Sequence, residues 1–291
     1  MANGQWFPPD WPDRIRALAD GTLTPVAPKR AATVMLLRDA DGGPAVHMLR
    51  RRASMAFAGG AYAYPGGGVD PRDDDTLVRW AGPTRAWWAE RLGVDDESAA
   101  QAIVCAAVRE TYEEAGVLLA GPTPESVVGD TTGEDWEADR AALVARDLSF
   151  AEFLDRRGLV LRSDLLGAWT RWITPAFEPR RYDTFFFVAA LPAGQRTRNA
   201  STEADRTVWI RPADAAASYD KGELLMMPPT IATLRQLAPY ASAAEALAAA
   251  PGRDLTPVLA EARLEDGEVV LTWPGHDEFT KHVPTLPTGG A

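Results

Sequence analysis

Cysteine, lysine and histidine are scarce in this chain of 291 residues, which has one cysteine and three histidines. A single thiol excludes an intrachain disulfide and a cysteine-rich metal site. Cys105, set in an alanine- and valine-rich run, reads as an inert buried thiol. His47 has no acidic or cysteine neighbour in sequence and reads as structural or surface-exposed. Among 30 basic residues only Lys29, Lys221 and Lys281 are lysines, so phosphate contacts fall to arginine, which binds them bidentately. Positive charge as a whole is outweighed, since 41 acidic residues give a net charge of −11. Without a basic field to release counterions, nucleic acid is not an expected partner. A small anionic substrate is still allowed, because a bound metal inverts the local potential. No apolar run is long enough to span a bilayer and no basic-then-apolar leader is present, so the expectation is a cytoplasmic protein with no membrane partner. The closing Thr288-Gly289-Gly290-Ala291 does not match a Ser-Lys-Leu-type peroxisomal address. No internal repeat is visible.

What is present suits a globular enzyme, with 46% hydrophobic residues to build a sizeable core. Residues 1–30 carry five of the prolines from Pro8 to Pro28 and predict a surface arm with one short helix near Arg14–Ala19. Strands are predicted at 31–37 and 45–50 around an Asp41-Gly42-Gly43-Pro44 turn. Tyr62 and Tyr64 have strand spacing and should share a face. A short helix is expected at Thr84–Leu92, stopped by Gly93, with Trp87 and Trp88 as packing groups. A long helix should run from an N-cap at Ser98 to Ala115, with Gly116 as C-cap. Two amphipathic helices (136–146, 149–157), strands at 165–173, 182–190 and 207–210, helices opening at Pro212 and Pro228, an alanine-rich surface helix at 243–250 and a hairpin over 263–271 complete the pattern. The order predicts an α/β fold, a mixed β-sheet covered by helices on both faces. It divides into an arm (1–30), a main domain (31–240) and a C-terminal extension (241–291).

The chemistry concentrates in Arg109-Glu110-Thr111-Tyr112-Glu113-Glu114-Ala115-Gly116-Val117. Glu110, Glu113 and Glu114 stand at i, i+3 and i+4 and so share one helix face. Like charges stacked this closely repel, and a divalent cation relieves the conflict. Carboxylate oxygens suit Mg²⁺ or Mn²⁺. A solvated acidic face is the plain alternative. Upstream lies a glycine loop, Pro65-Gly66-Gly67-Gly68, which taken alone is weak evidence.

Together these segments resemble the Nudix hydrolase signature, a glycine, five residues, Glu, seven residues, then Arg-Glu-aliphatic-x-Glu-Glu-x-Gly-aliphatic. Gly67 matches the opening glycine, and Arg109, Glu110, Glu113, Glu114, Gly116 and Val117 match the second half. Asp73 stands where Glu is usual and Thr111 where an aliphatic residue is. Between Asp73 and Arg109 lie 35 residues where the family has seven, an insertion of 28, most of it within residues 72–98. An interrupted box of this kind is similar to the branch typified by the peroxisomal coenzyme A diphosphatase known as nudix motif 19. The lead-in Ser54, Phe57, Gly60, Tyr62, Tyr64, Pro65, Gly66, Gly67 resembles that branch. So does the later run Trp169, Arg171, Trp172, Thr174, Pro175, Pro179, Arg180, Arg181, Tyr182, Asp183, Thr184. Of the coenzyme A motif upstream of the box, Arg51 and Gly60 match, while Arg52 and Ala56 depart from it.

The resemblance, over roughly residues 30–240, implies a Nudix α/β/α sandwich and hydrolysis of a diphosphate linkage. It implies metal ligation by Glu110, Glu113, Glu114 and the Gly66 carbonyl, with Arg109 pairing Asp73 to fix the loop on the helix. Gly67 and Gly116 are supporting positions. A further acid from a later loop is expected, with Glu203 ahead of Asp205. Arg51, Tyr64, Arg180 and Arg181 are substrate-binding candidates, and Phe57, Tyr62, Trp169 and Trp172 candidate apolar walls. Coenzyme A or acyl-coenzyme A is the leading substrate, giving (acyl-)4′-phosphopantetheine and adenosine 3′,5′-bisphosphate. ADP-ribose, NADH or another dinucleotide is the alternative, and a non-enzymatic Nudix binding domain the third reading. The partner is thus a small-molecule diphosphate, and the pattern is compatible with a homodimer. The insertion is expected to protrude, leaving the two box halves adjacent.

Overall fold

The computed structural model describes residues 10–54, 59–265, 268–272 and 281–283. In chain order the elements are α1 (Trp11–Ala19), β1 (Lys29–Ala40), β2 (Gly43–Arg51), β3 (Tyr62–Ala63), β4 (Gly66–Gly68), β5 (Trp80–Ala81), α2 (Arg85–Leu92), α3 (Glu97–Ala115) and β6 (Ala120–Gly121). Then come α4 (Glu134–Val144), α5 (Phe150–Arg156), β7 (Val160–Arg162), β8 (Gly167–Ile173), β9 (Tyr182–Ala190), β10 (Ala204–Ile210), α6 (Pro212–Asp220), α7 (Pro228–Leu237) and α8 (Ala243–Ala249). The described chain closes with β11 (Val258–Leu259), β12 (Glu261–Glu265), β13 (Glu268–Thr272) and β14 (Lys281–Val283).

The main sheet has the order β10-β2-β1-β9-β8-β11, with β3 on β2 and β4 on β1. β1 runs parallel to β9 and β8 parallel to β11, while the remaining pairs of this sheet are antiparallel. Period-two alternation makes it two-faced. Met35, Leu37, Val46, Met48, Phe186 and Val188 face one core, which α1, α6, α7 and α8 cover. Ala32, Val34, Leu36, Phe185, Phe187 and Ala189 face the other, which α3 fills. The result is the expected α/β/α sandwich on a mixed sheet.

The N-cap of α3 lies two residues before the expected one. Asp96, not Ser98, is the N-cap; its carboxylate accepts from Ala99 N–H, and Ser98 is already helical. Both residue types cap well, so the sequence does not separate them. Gly116 ends the helix in the left-handed region, at φ 70°, as expected.

The insertion does not protrude. α2, held by a Thr84 N-cap and ended at Gly93, lays Trp88 and Leu92 into the same core as α3, and β5 pairs with β7. Arg91 donates to the carbonyls of Ala168, Ala250 and Arg253, tying the insertion to β8 and the C-terminal segment. In consequence α3 is buried on all sides from Ala99 to Arg109 instead of along one stripe. Trp88 is 1% exposed. Trp88→Ala is expected to cost about 3–5 kcal/mol, the usual range for a fully buried tryptophan. A chemical denaturation midpoint unchanged by this substitution would contradict the insertion's place in the core.

The first described helix meets the late hairpin. Trp11 and Ile15 of α1 are buried, with Trp11 edge-on to Phe177, and α1 packs on β12 and β13. β11 extends the main sheet beside β8. α8 lies over β9 with Ala243 and Ala246 buried and Ala244, Glu245 and Ala248 exposed, the surface helix expected. β12 and β13 form the expected hairpin; residues 266–267 at its turn lie outside the described residues. Among the described residues no helix is long and apolar enough to cross a membrane.

Candidate active site

β4 pairs with β1, opposing Gly66 to Thr33 and Gly67 to Ala32, and brings the glycine loop against the last turns of α3. A side chain at Gly67 would meet the Glu110 carboxylate at 2.6–2.7 Å. That carboxylate could turn aside, but at Gly66 an added Cβ would meet the Ala32 carbonyl oxygen at 2.6 Å, so there only a bare backbone fits. Gly66 N–H donates to Glu114 Oε2 at 2.9 Å, and Ser201 Oγ donates to Glu114 Oε1 at 3.1 Å. The two box halves are therefore adjacent despite the insertion.

Arg109 joins them. Its guanidinium donates to both oxygens of Asp73, at 3.0 and 2.9 Å, and to the Gly68 carbonyl at 2.9 Å. It also donates to Glu110 Oε1 at 2.7 Å and Glu113 Oε1 at 3.3 Å. Burial works against its charge, but Asp73, Glu110 and Glu113 outweigh that and hold its pKa above the usual value. For Asp73, burial pushes the carboxyl up while Arg109 pulls it down. With two guanidinium bonds and the Asp70 N–H on it, the ionised form is the one the geometry serves.

The helix carboxylates are short of compensating charge. Burial, opposed by Arg109, pushes Glu110 up to about 7, and burial also raises Glu113. Burial, with Glu110 beside it, pushes Glu114 up to about 8. Among the described residues no three acidic, histidine or cysteine side chains are already gathered at ligating positions, and Arg109 draws Glu110 and Glu113 to itself. By chemistry the donor set nevertheless fits a hard divalent cation: anionic oxygens, buried, with a charge excess that raises their own pKa values.

These groups form the floor of an open cleft of about 1280 Å³. Arg51, Tyr64, Arg180 and Glu203 are among its lining residues. Tyr64 contributes its ring only, since its hydroxyl donates to the Thr230 carbonyl and meets Thr233 Oγ1. Glu203 is half exposed, with Oε2 3.7 Å from Arg51 Nη1, and its charge reaches Glu114. Asp205 does not line the cleft; it forms a bidentate pair with Arg50. Glu203→Gln is accordingly expected to lower kcat about tenfold or more, and Asp205→Asn to leave it within about twofold. The reverse ranking in steady-state assays would exchange the two assignments.

Several expected site residues are placed elsewhere. The Arg181 guanidinium donates to the carbonyls of Thr174 and Val26, away from the cleft; a structural tie replaces the expected phosphate contact. Asp183 pairs with Arg171. Tyr62, Trp169 and Trp172 belong to the core and are not cleft walls. Phe57 lies outside the described residues. The apolar lining comes instead from Leu143, Val144, Leu148 and Phe150 on one side and Phe186 and Met227 on the other. Sequence reasoning also missed Lys29, Arg72 and Arg146 in the cleft wall. It missed Arg140 too, which donates to the Glu113 carbonyl at 2.7 Å and the Ala200 carbonyl at 3.2 Å and so ties the Glu203 loop to α3. No local motif marks Arg140; the contact spans distant parts of the chain.

A family model described as the NUDT19 Nudix domain matches residues 84–237, more than half of the chain. The chain belongs to the NUDT19 Nudix family. It is 27% identical over 194 residues to the acyl-coenzyme A diphosphatase NUDT19 of Xenopus laevis, covering 60% of this chain and 50% of that protein. The Gallus gallus protein of the same name is 26% identical over 264 residues, covering 74% and 69%. This chain thus spans about half the length of the frog relative and a little over two thirds of the chicken one. Among solved structures, a Nudix hydrolase from Alicyclobacillus acidocaldarius superposes with a TM-score of 0.65 at 27% identity, covering 80% of this chain and 99% of that one. The chain is thus a Nudix-family member whose box is interrupted between Asp73 and Arg109.

Proposed function

We propose that the protein hydrolyses the diphosphate of coenzyme A or its thioesters, releasing (acyl-)4′-phosphopantetheine and adenosine 3′,5′-bisphosphate. The observation that carries this reading is the cleft itself. Its floor is a carboxylate cluster under a glycine strand, and its volume of about 1280 Å³ exceeds the ~300–1,000 Å³ of ordinary small-molecule sites. A long substrate with an anionic centre and an apolar arm suits it. The two acyl-coenzyme A diphosphatase relatives point the same way.

In this reading Glu110, Glu113 and Glu114, with the Gly66 carbonyl and Glu203, would hold Mg²⁺ or Mn²⁺. Such an ion, when bound, neutralises diphosphate charge and lowers the pKa of a bound water. The protein's own groups do the rest. Gly66 N–H and Ser201 Oγ fix the orientation of the Glu114 carboxylate. Arg109 limits where Glu110 and Glu113 can turn. Arg51 supplies positive charge at the cleft wall for a phosphoryl oxygen. Glu203, in the cleft lining, would accept a proton from the attacking water, and Arg140 steadies the loop that carries it. Leu143, Val144, Leu148 and Phe150 offer an apolar wall to the pantetheine or acyl arm.

The test is kcat/KM with Mg²⁺ or Mn²⁺ for coenzyme A, acetyl-coenzyme A, ADP-ribose, NADH and diadenosine polyphosphates. Coenzyme A and its thioesters are expected to lead. A kcat/KM for ADP-ribose or a dinucleotide well above theirs overturns the coenzyme A assignment.

A further inference from the structure

One patch of the cleft lies well away from the carboxylates. On β1, Lys29, Ala31 and Thr33 line the cleft; on β9, Tyr182, Thr184 and Phe186 do, and Arg180 continues their period two residues upstream. The parallel register sets Lys29 beside Tyr182, and Lys29 N–H donates to the Arg181 carbonyl at 2.9 Å. Neighbouring strands lie about 4.8 Å apart, so Lys29, Arg180 and Tyr182 share one corner of the sheet face.

This corner is chemically unspent. Arg181 between them is committed to backbone carbonyls, but among the described residues the side chains of Lys29 and Arg180 form no ion pair. Both are exposed side chains left without an ion pair in a protein of net charge −11, although Asp10 and Glu178 line the same cleft. Nearby Glu178 does not neutralise them; it is buried, bonded to Trp11 and facing Arg14. Tyr182 is 42% exposed, one of few large hydrophobic side chains left open to solvent. Its ring offers a flat face of the kind on which nucleobases stack.

The spacing to the reaction centre is defined by the strand. Gly66, at the carboxylates, pairs with Thr33, and Lys29 is four residues upstream. At about 3.3 Å per residue that is about 13 Å between backbones. Long cationic side chains shorten it to the reach of a nucleoside whose 5′ end carries the scissile diphosphate.

We propose that Lys29, Arg180 and Tyr182 form a subsite for a phosphorylated nucleoside. Tyr182 stacks the base, while Lys29 and Arg180 bind a phosphomonoester on the ribose, so substrates bearing that phosphate are selected over those lacking it. This rests on the diphosphatase reading above for its kinetic consequence, though not for binding. The shared chemistry is a ribose phosphate, found at the 3′ position in coenzyme A and at the 2′ position in NADPH.

The test has a binding arm and a kinetic arm. By calorimetry, the wild type is expected to bind adenosine 3′,5′-bisphosphate about tenfold or more tightly than adenosine 5′-monophosphate, the size of one or more charge-assisted contacts. Lys29→Gln with Arg180→Gln should bring that ratio near one, and Lys29→Arg should keep it. In turnover, the kcat/KM ratio of coenzyme A to dephospho-coenzyme A should collapse the same way, chiefly through KM. The matching ratio of NADPH to NADH tells a 2′ phosphate from a 3′ one. Equal wild-type affinity for the bisphosphate and monophosphate, or a preference that survives in the folded double variant, overturns the subsite. Selective nucleotide binding without any coenzyme A turnover would instead reject the substrate reading and leave the subsite standing.

Discussion

Glu114→Gln is expected to lower kcat at least about 100-fold while making the metal-free protein more stable at alkaline pH. The first effect follows from the role proposed for Glu114. Removing groups that merely orient a metal ligand costs about 10- to 100-fold, so removing an anionic ligand should cost at least the upper end. The second follows from burial. The Glu114 carboxyl titrates near 8 in the folded chain, against 4.5 for an ordinary glutamate. Because the folded value is the higher, the unfolded chain loses its proton first as pH rises. Stability from this group is intact below about pH 4.5 and is lost progressively as pH rises through about 8. Glutamine does not titrate. In excess chelator the variant and wild type should therefore melt together near pH 4 and separate near pH 8, with the variant higher. Each kcal/mol recovered corresponds to roughly 2–4 °C for a domain of this size class. Parallel melting curves at both pH values, or unchanged kcat, would contradict the assignment.

Arg109→Met is expected to be the most destabilising single change at the site, by about 3–5 kcal/mol. Asp73 is 2% exposed and Arg109 9%. Deleting the guanidinium strands the Asp73 carboxylate in the interior and frees the Gly68 carbonyl of its donor. It also leaves Glu110 and Glu113 facing each other without the cation that bridges them. A buried pair gives little net stability over a well-packed apolar pair, but breaking it from one side is costly. The double change Arg109→Met with Asp73→Leu should recover part of the loss, since the stranded charge goes with it. A double-mutant cycle by denaturant titration measures this. A single variant within about 1 kcal/mol of wild type would show that the box halves are held together by something else.

How much of this could be read in advance depended on how local each feature is. The helix that carries Glu110, Glu113 and Glu114 and its stop at Gly116 follow from spacing within one short motif, whereas the Arg109–Asp73 pair, 36 residues apart, was legible only through the family resemblance. Thr84 and Gly93 around α2 were equally readable, because caps are local chemistry. The insertion's burial was not. Nothing in residues 72–98 says that Trp88 meets Phe187, which is nearly a hundred residues on. For the same reason Trp169 and Trp172 seemed available as cleft walls. Strand alternation gives two faces but not which one a distant helix will cover, and α7 and α8 enclosed theirs. Arg180 and Arg181 are adjacent and identical in type, yet period two sends one to the cleft and the other to the Thr174 and Val26 carbonyls. The sequence holds that alternation but not its phase at the strand's edge. Lys29 fell in a proline-rich arm by composition and became the first residue of β1 through its parallel pairing with β9.

The most direct test of the central claim is product identification by mass after incubating acetyl-coenzyme A with the protein and Mg²⁺ or Mn²⁺, alongside Glu114→Gln and a chelator control. Acetyl-4′-phosphopantetheine and adenosine 3′,5′-bisphosphate are expected in equal amounts, from the wild type only. Release of acetate or free thiol with the diphosphate intact, or the same phosphate products from folded Glu114→Gln at an undiminished rate, would contradict it.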